Sequence, residues 1–145
     1  MPDAILIQEL PSGAGEGEVV QLPMSAHDRR RVRRIVEAPD GTRFALALAT
    51  GTVLVPGQVI HRSGGRVYVV AAALEDVIVA HPGSLEEATR IGHIIGNLHR
   101  DLEAAGDLVI ALADAALAER LRRVGVSFTI ERRAFHGRAP GEHAH

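Results

Sequence analysis

The stretch LEDVIVAHPGSLEEATRIGHIIGNL, residues 74–98, changes from one hydrophobic pattern to another and so decides the fold of the second half of the chain. Its first part is a short apolar run, which predicts a strand that ends at Pro82. Ser84 is then a favourable helix N-cap, and Glu87, three residues later, completes a capping box. We therefore predict a strand followed by a helix that runs to about Leu98.

The residues after this helix predict a second set of strands and a second helix. A short segment around Leu102 and the strand DLVIAL are separated by Gly106, which marks a turn. Asp114 lies at the start of another helix, which Gly125 ends, and VSFTIERRAF alternates as a final strand. The order β-α-β-β-α-β is that of a ferredoxin-like domain.

The first half of the chain predicts short strands. Asp40-Gly41 lies between two alternating runs, which is a strong hairpin signal, and Gly64-Gly65 marks another tight reversal. Strands at such spacing favour a small β-sandwich or barrel. The sequence thus predicts an α+β protein with an N-terminal all-β domain at residues 1–72, a ferredoxin-like domain at 73–135 and a flexible histidine-containing tail at 136–145.

Composition excludes several classes of site. The chain has 145 residues and is 46% hydrophobic, so it can bury a core, but its three Phe and one Tyr make that core aliphatic. It has no Cys, which excludes disulfides, thiolate metal sites and cysteine nucleophiles. The net charge of −2 gives no global attraction to nucleic acid or to a membrane. We expect a soluble cytoplasmic protein, since no apolar run approaches the ~18 residues of a membrane span.

No pattern of a catalytic site is found in the sequence. There is no HExxH zinc motif, no nucleophile elbow and no phosphate-binding loop. The GAGEG of residues 13–17 is superficially similar to a dinucleotide fingerprint, but the segment that follows reads as a strand instead of a helix. We predict that the protein is not an enzyme.

Histidines supply the candidate ligands. Successive helical residues rotate by about 100°, so His93 and His99 lie about 120° apart and cannot chelate one ion from a regular helix. The rotation places His99 in one apolar stripe with Leu85, Ala88, Gly92 and Ile95, or just past the end of that stripe. A lone histidine there is more often structural than a ligand. It becomes part of a metal site if a two-fold axis brings its symmetry mate against it, because nickel, copper and zinc all accept imidazole.

The end of the chain offers further imidazoles. His143 and His145 alternate, so an extended backbone would point both the same way, and His136 precedes them by seven residues. A His-x-His pair of this kind can bind a divalent ion. The alternative interpretation is a polar end without a metal role.

A run of arginines forms a local positive patch, comprising Arg29, Arg30, Arg31, Arg33 and Arg34. We interpret it as a docking site for an acidic protein surface. RNA binding is the weaker alternative, since no aromatic platform accompanies the arginines. A solvated strand edge without a partner would explain the same pattern.

The GNLH of residues 96–99, at the end of the first predicted helix, resembles the Gly-Asn-x-His motif of the urease accessory protein UreE family. RRRVRRIVEAPDGTRFALALATGTVLVPGQVI is similar to that family's N-terminal β-domain, and RLRRVGVSFTIERRAF to the last helix and strand of its metal-binding domain. The chain departs from the family pattern at Leu98, where a basic residue is common. Ala113 and Ala115 stand near positions where some members carry auxiliary histidines.

The resemblance implies a nickel metallochaperone. It implies a homodimer through the C-terminal domain, with pairing into a dimer of dimers left open, in which His99 binds Ni(II) with its symmetry mate. Histidines of the tail, here His143 and His145 with His136, would complete the coordination, and Zn(II) or Cu(II) would fit the same site. The implied partners are the urease apoprotein complex and the accessory GTPase UreG, contacted in part through an N-terminal domain like the peptide-binding domains of chaperones.

Overall fold

In the computed structural model, residues 3–13 and 16–137 are described. The chain divides into two compact units, Met1–Ala73 and Leu74–His145. Each unit has its own hydrophobic core, which contains residues of that unit only.

The first unit consists of strands and one turn of 3-10 helix, Asp28–Arg30. The strands are β1 (Ile5–Ile7), β2 (Glu18–Met24), β3 (Arg33–Glu37), β4 (Arg43–Ala47), β5 (Val59–Ser63) and β6 (Arg66–Ala72). They form two three-stranded sheets, in the orders β1-β4-β3 and β2-β6-β5. Side chains of both sheets share one core, in which Phe44 and Leu22 are buried. This confirms the predicted N-terminal β-domain, and of the two predicted forms, sandwich and barrel, the sandwich is the one present.

Both predicted reversals are present in this unit. Gly64 and Gly65 have positive φ angles of 58° and 76°, and Ser63 pairs with Arg66 across them. Glycine suits these positions because it has no Cβ to disfavour positive φ. The turn at Asp40 joins β3 to β4 as an antiparallel pair.

The arginine-rich segment does not begin as a strand, which corrects the interpretation of the whole run as a strand edge. The Ser25 hydroxyl accepts a hydrogen bond from the Asp28 N–H (3.1 Å), and the Ser25 carbonyl accepts one from the Arg29 N–H (3.0 Å). These bonds favour a helical turn over an extended chain. The strand β3 starts only at Arg33.

The second unit has the predicted order of elements: β7 (Leu74–Ala80), α1 (Leu85–Asn97), β8 (Glu103–Ala105), β9 (Leu108–Leu112), α2 (Ala115–Arg123) and β10 (Phe128–Ala134). The four strands form an antiparallel sheet in the order β10-β7-β9-β8. Both helices pack on one face, where Ile91, Ile95 and Leu117 are buried among residues such as Ile78 and Ala111. The ferredoxin-like prediction is confirmed.

A variant of the predicted capping box fixes the start of α1, in which Glu87 bonds to Gly83, one residue before the N-cap Ser84. The Ser84 hydroxyl accepts a hydrogen bond from the Glu87 N–H (3.1 Å), and a Glu87 carboxylate oxygen accepts one from the Gly83 N–H (3.2 Å). The helix runs for 13 residues, to Asn97. Among the described residues, neither α1 nor any other helix is long and apolar enough to cross a membrane.

Candidate metal-binding site at the end of helix α1

His99 lies just beyond the C-terminus of α1, with a φ angle of +54°. Leu98 is the C-cap, so His99 is the first residue outside the helix. The His99 N–H donates to the carbonyl of Gly96 (2.9 Å), and the Arg100 N–H donates to the carbonyl of Ile95 (3.2 Å). These two bonds are those of a Schellman motif, whose left-handed residue is most often glycine.

The second helix of the same unit ends in the same way with the expected residue. Gly125 has a φ of +78°, its N–H donates to the carbonyl of Arg122 (3.1 Å), and the N–H of Val126 donates to the carbonyl of Leu121 (3.0 Å). A non-glycine residue in the left-handed region costs about 1–2 kcal/mol. Among the described residues, His99 is the one non-glycine residue with positive φ. Such local strain is a recognised mark of functional positions.

His99 lies just past the end of the helix, which is one of the two predicted placements, but the predicted apolar stripe is not the buried face of α1. The residues of α1 that are buried against the sheet are Ile91, Ile94 and Ile95, whereas Leu85 is 85% exposed. The helix has more apolar residues than one face can hold, so rotation alone did not identify the buried face. The backbone leaves the helix at His99, so the rotation of about 100° per residue does not predict the direction of the His99 side chain.

His93 lies on the exposed side of the helix and makes a local contact. The side-chain amide of Asn97 donates to His93 Nε2 at 3.1 Å. This hydrogen bond joins His93 to Asn97, one helical turn away, and does not involve His99.

An ion pair connects the residue after His99 to the second helix. Arg100 Nε donates to Asp114 Oδ2 at 2.9 Å, and Asp114 is the N-cap residue of α2. Reading of the sequence missed this contact, which joins positions 14 residues apart. The left-handed turn beside it did have a signal in the sequence, because His99 stands where a helix end would favour a glycine.

The other candidate ligands are placed only in part. His136 is exposed, its N–H donates to Glu103 Oε1 (2.9 Å), and its Nδ1 lies 3.8 Å from the same oxygen. His143 and His145 lie outside the described residues. Within residues 3–13 and 16–137, no three His, Asp or Glu side chains are grouped so that they could hold a metal ion.

The five arginines of the predicted docking patch have different environments. Arg29 is 3% exposed and donates to the carbonyl of Met24 (2.7 Å), so it belongs to the interior of its unit. Arg34 is largely buried and lies 3.1 Å from Asp28 Oδ2. Arg30, Arg31 and Arg33 are exposed.

An apolar row crosses the outward face of the sheet that contains Arg33. Leu6 and Ile35 both pair in register with Ala45, from opposite sides of β4. Leu6 is 59% and Ile35 50% exposed. Since side chains two residues apart point to the same face of a strand, Arg33 adjoins this row.

Comparison with known protein families gives matches to two models that together cover almost the whole chain. Residues 6–73 match the N-terminal domain of the UreE urease accessory protein, and residues 75–145 match its C-terminal domain.

Individual relatives show the same similarity over most of their length. The chain is 45% identical to the urease accessory protein UreE of Synechococcus sp. (strain JA-3-3Ab) over 96% of this chain and 94% of the relative. It is 48% identical to that of Deinococcus radiodurans over 94% and 88%. A more distant relative, from Corynebacterium efficiens, is 31% identical over 79% and 76%.

Proposed function

We propose that this chain, which belongs to the UreE family of urease accessory proteins, is a metallochaperone that delivers Ni(II) to urease during assembly of its metallocentre. The family acts in urease maturation. An accessory protein of this kind assists the making of an enzyme, and we expect no catalytic turnover from the chain itself. We place its action in the cytoplasm.

The observation that carries the proposal is the placement of His99. Its side chain is exposed, and the Schellman motif holds its backbone in a strained conformation that glycine would adopt at lower cost. A histidine in such a position is best explained by a use for the imidazole. One imidazole is a weak site, so we infer that His99 binds the ion together with its symmetry mate in a homodimer.

The exposed side of α1 supports a homodimer through the C-terminal unit. Leu85 and Ala88 line a shallow depression of about 380 Å³ together with Pro82, Leu108 and Val109. A Cβ added to Gly92 would meet nothing within 4 Å, so packing within this chain does not require a glycine there. A second copy that packs against α1 would cover the apolar side chains, and the absence of a side chain at Gly92 would let it approach the helix closely.

The ion and its remaining ligands follow from the ligand types. Nickel, zinc and copper all accept imidazole nitrogen, so Zn(II) and Cu(II) are expected to compete for the site. His143, His145 and His136 are the further donors that we assign to the ion. The alternative function is a zinc- or copper-binding module, or a docking module without a carrier role.

Nickel stoichiometry tests the proposal directly. Equilibrium dialysis of the wild type is expected to give one tightly bound Ni(II) per dimer. His99→Ala should bind no Ni(II), and a chain truncated after Pro140 should bind one Ni(II) per dimer more weakly. His93→Ala is the matched control, since it removes another exposed imidazole of the same segment and should leave binding unchanged. Wild-type binding by His99→Ala would exclude the proposed site.

We further propose that the exposed arginines dock the chain on an acidic surface of the urease apoprotein complex or of the accessory GTPase UreG. Arg30, Arg31 and Arg33 supply positive charge, and the row of Leu6, Ala45 and Ile35 would add apolar contact beside it. Arg29 is buried and Arg34 is only partly exposed beside Asp28, so we do not assign these two to the contact surface.

Charge reversal tests the docking surface. Arg31→Glu with Arg33→Glu should weaken salt-dependent binding to the urease components at least tenfold and leave nickel binding intact, whereas Arg90→Glu, on α1, should change neither. Binding to generic RNA at similar strength would instead favour the nucleic-acid alternative.

A further inference from the structure

The N-cap residue of helix α2 does not cap its own helix. Asp114 has the extended backbone of an N-cap (φ −149°, ψ 126°), and its carbonyl accepts the first helical bond from the Ala118 N–H (2.9 Å). Its side chain makes no capping hydrogen bond. Aspartate is a preferred N-cap because its carboxylate usually accepts from the free amides of the first turn. In this helix the carboxylate is used elsewhere.

The partner of that carboxylate is Arg100, the residue that follows His99. Arg100 Nε lies 2.9 Å from Asp114 Oδ2, and the two side chains are 51% and 25% exposed. The backbone of Arg100 is fixed as well, since its N–H closes the outer bond of the Schellman motif with Ile95. Arg100 is therefore attached to the end of α1 through its backbone and to the start of α2 through its side chain.

This arrangement acts on the conformation of His99. A left-handed non-glycine residue persists only when its surroundings over-determine it. The Schellman bonds hold the residue on the helix side, and the bond from Arg100 to Asp114 holds it on the other. Solvent-exposed ion pairs add little to overall stability. The bond of Asp114 to Arg100, in place of a capping bond in α2, is therefore better explained by its effect on the position of this segment.

We infer that Arg100 and Asp114 are positioning residues for the imidazole of His99. They hold the left-handed turn in place before the ion arrives, so that less conformational freedom is lost on binding. This inference rests on the proposed metal role of His99. In a symmetric dimer the pair would occur twice, once for each imidazole.

The test is a double-mutant cycle on nickel affinity, measured by isothermal titration of the full chain with nickel chloride. Asp114→Ser keeps a good N-cap but is too short to reach Arg100, and Arg100→Gln removes the charge from the other side. We expect each variant to weaken nickel binding by about fivefold and the double variant by the same fivefold, because both remove one contact. Arg100→Lys, which keeps the charge and a donor, should restore most of the affinity.

A matched control comes from the same helix. Glu119 and Arg123 of α2 form an exposed ion pair of 2.8 Å that is remote in sequence from His99. Glu119→Ser should leave nickel affinity unchanged, and the unfolding midpoint of Asp114→Ser should stay close to that of the wild type. If the unfolding midpoint of Asp114→Ser fell far enough to explain its loss of nickel affinity, the positioning role would be overturned.

Two further outcomes separate the inference from the function on which it rests. If Asp114→Ser weakens nickel binding and Arg100→Gln does not, Asp114 touches the ion itself, and positioning through Arg100 is wrong. If His99→Ala abolishes binding while both single variants bind as the wild type does, the inference fails and the metal role of His99 stands. If nickel binding survived His99→Ala, the proposed metal role of His99 would be wrong, and the inference that rests on it would fall with it.

Discussion

At the scale of the residue, the two helix ends of the second unit make a comparison within one structure. Both end in a Schellman motif, with Gly125 at the left-handed position of α2 and His99 at that of α1. The hydrogen bonds are the same, and only the side chain differs. The cost of the left-handed backbone is therefore present at one end and absent at the other.

Replacement of His99 by glycine should separate stability from metal binding. We expect His99→Gly to raise the free energy of unfolding of the metal-free chain by about 1 kcal/mol, because the left-handed strain is relieved, and to abolish nickel binding. Urea unfolding and equilibrium dialysis measure the two effects.

The second helix end supplies the control for this substitution. Gly125→Ala places a Cβ in the same backbone conformation and should lower the free energy of unfolding by about 1 kcal/mol. A His99→Gly chain no more stable than the wild type would show that the turn carries no strain.

At the scale of the element, the turn between β3 and β4 joins the two sheets of the first unit. The Asp40 side chain accepts hydrogen bonds from the Tyr68 hydroxyl (2.7 Å) and from Arg66 (2.9 Å), both on β6. Its other oxygen accepts one from the Thr42 N–H (3.0 Å). The Tyr68 hydrogen bond, followed by that of the Thr42 backbone, lowers the pKa of Asp40 from 3.8 to about 2.

The lowered pKa of Asp40 predicts a loss of stability in acid. A carboxyl group whose pKa is lower in the folded chain stabilises it fully above the unfolded value near 3.8, and this contribution disappears as the pH falls toward 2. Asp40→Asn should therefore be less stable than the wild type at pH 7, and the difference should shrink between pH 4 and pH 2.

The chain offers a convenient probe for that comparison. It has one Tyr and no Trp, so tyrosine fluorescence during urea unfolding reports on Tyr68, in the first unit. A difference between the two proteins that stays constant from pH 7 to pH 2 would contradict the assigned role of the carboxylate.

At the scale of the whole molecule, the proposed function depends on a second copy of the chain. The described residues contain no cluster of ligands for an ion, and His99 alone is a weak site. Assembly and metal affinity should therefore be linked, since anything that separates the copies also separates the two imidazoles.

Gly92→Gln tests this linkage. A Cβ at position 92 would meet nothing within 4 Å, and glutamine is a better helix former than glycine, so each chain should fold at least as well as the wild type. We expect the variant to shift from dimer to monomer in light scattering at micromolar concentration and to lose at least tenfold in nickel affinity. Arg90→Gln, on another side of α1, should stay dimeric. A Gly92→Gln chain that remains a dimer would exclude this face as the interface.

The sequence by itself determined the order and type of most elements, because their boundaries are marked by local signals. The capping box at Ser84, the stop at Gly125 and the reversal at Gly64 each depend on neighbours within four residues, so they could be read from the chain. The same holds for the Gly-Asn-x-His resemblance to the UreE family, since its four residues, Gly96 to His99, are consecutive in the chain. Local order was sufficient for each of these predictions.

Only the tertiary structure decided which face of α1 is buried and what surrounds His99. The sheet selected Ile91, Ile94 and Ile95 from more apolar residues than one face can hold. Arg29 is buried and so is not part of the exposed arginine patch, although the sequence does not distinguish it from its arginine neighbours. The left-handed turn of His99 and the bond between Arg100 and Asp114 join two helix ends that meet only after the sheet has brought both helices onto one face. Contacts between distant segments have no local pattern, and the physical properties of this site arise from such contacts.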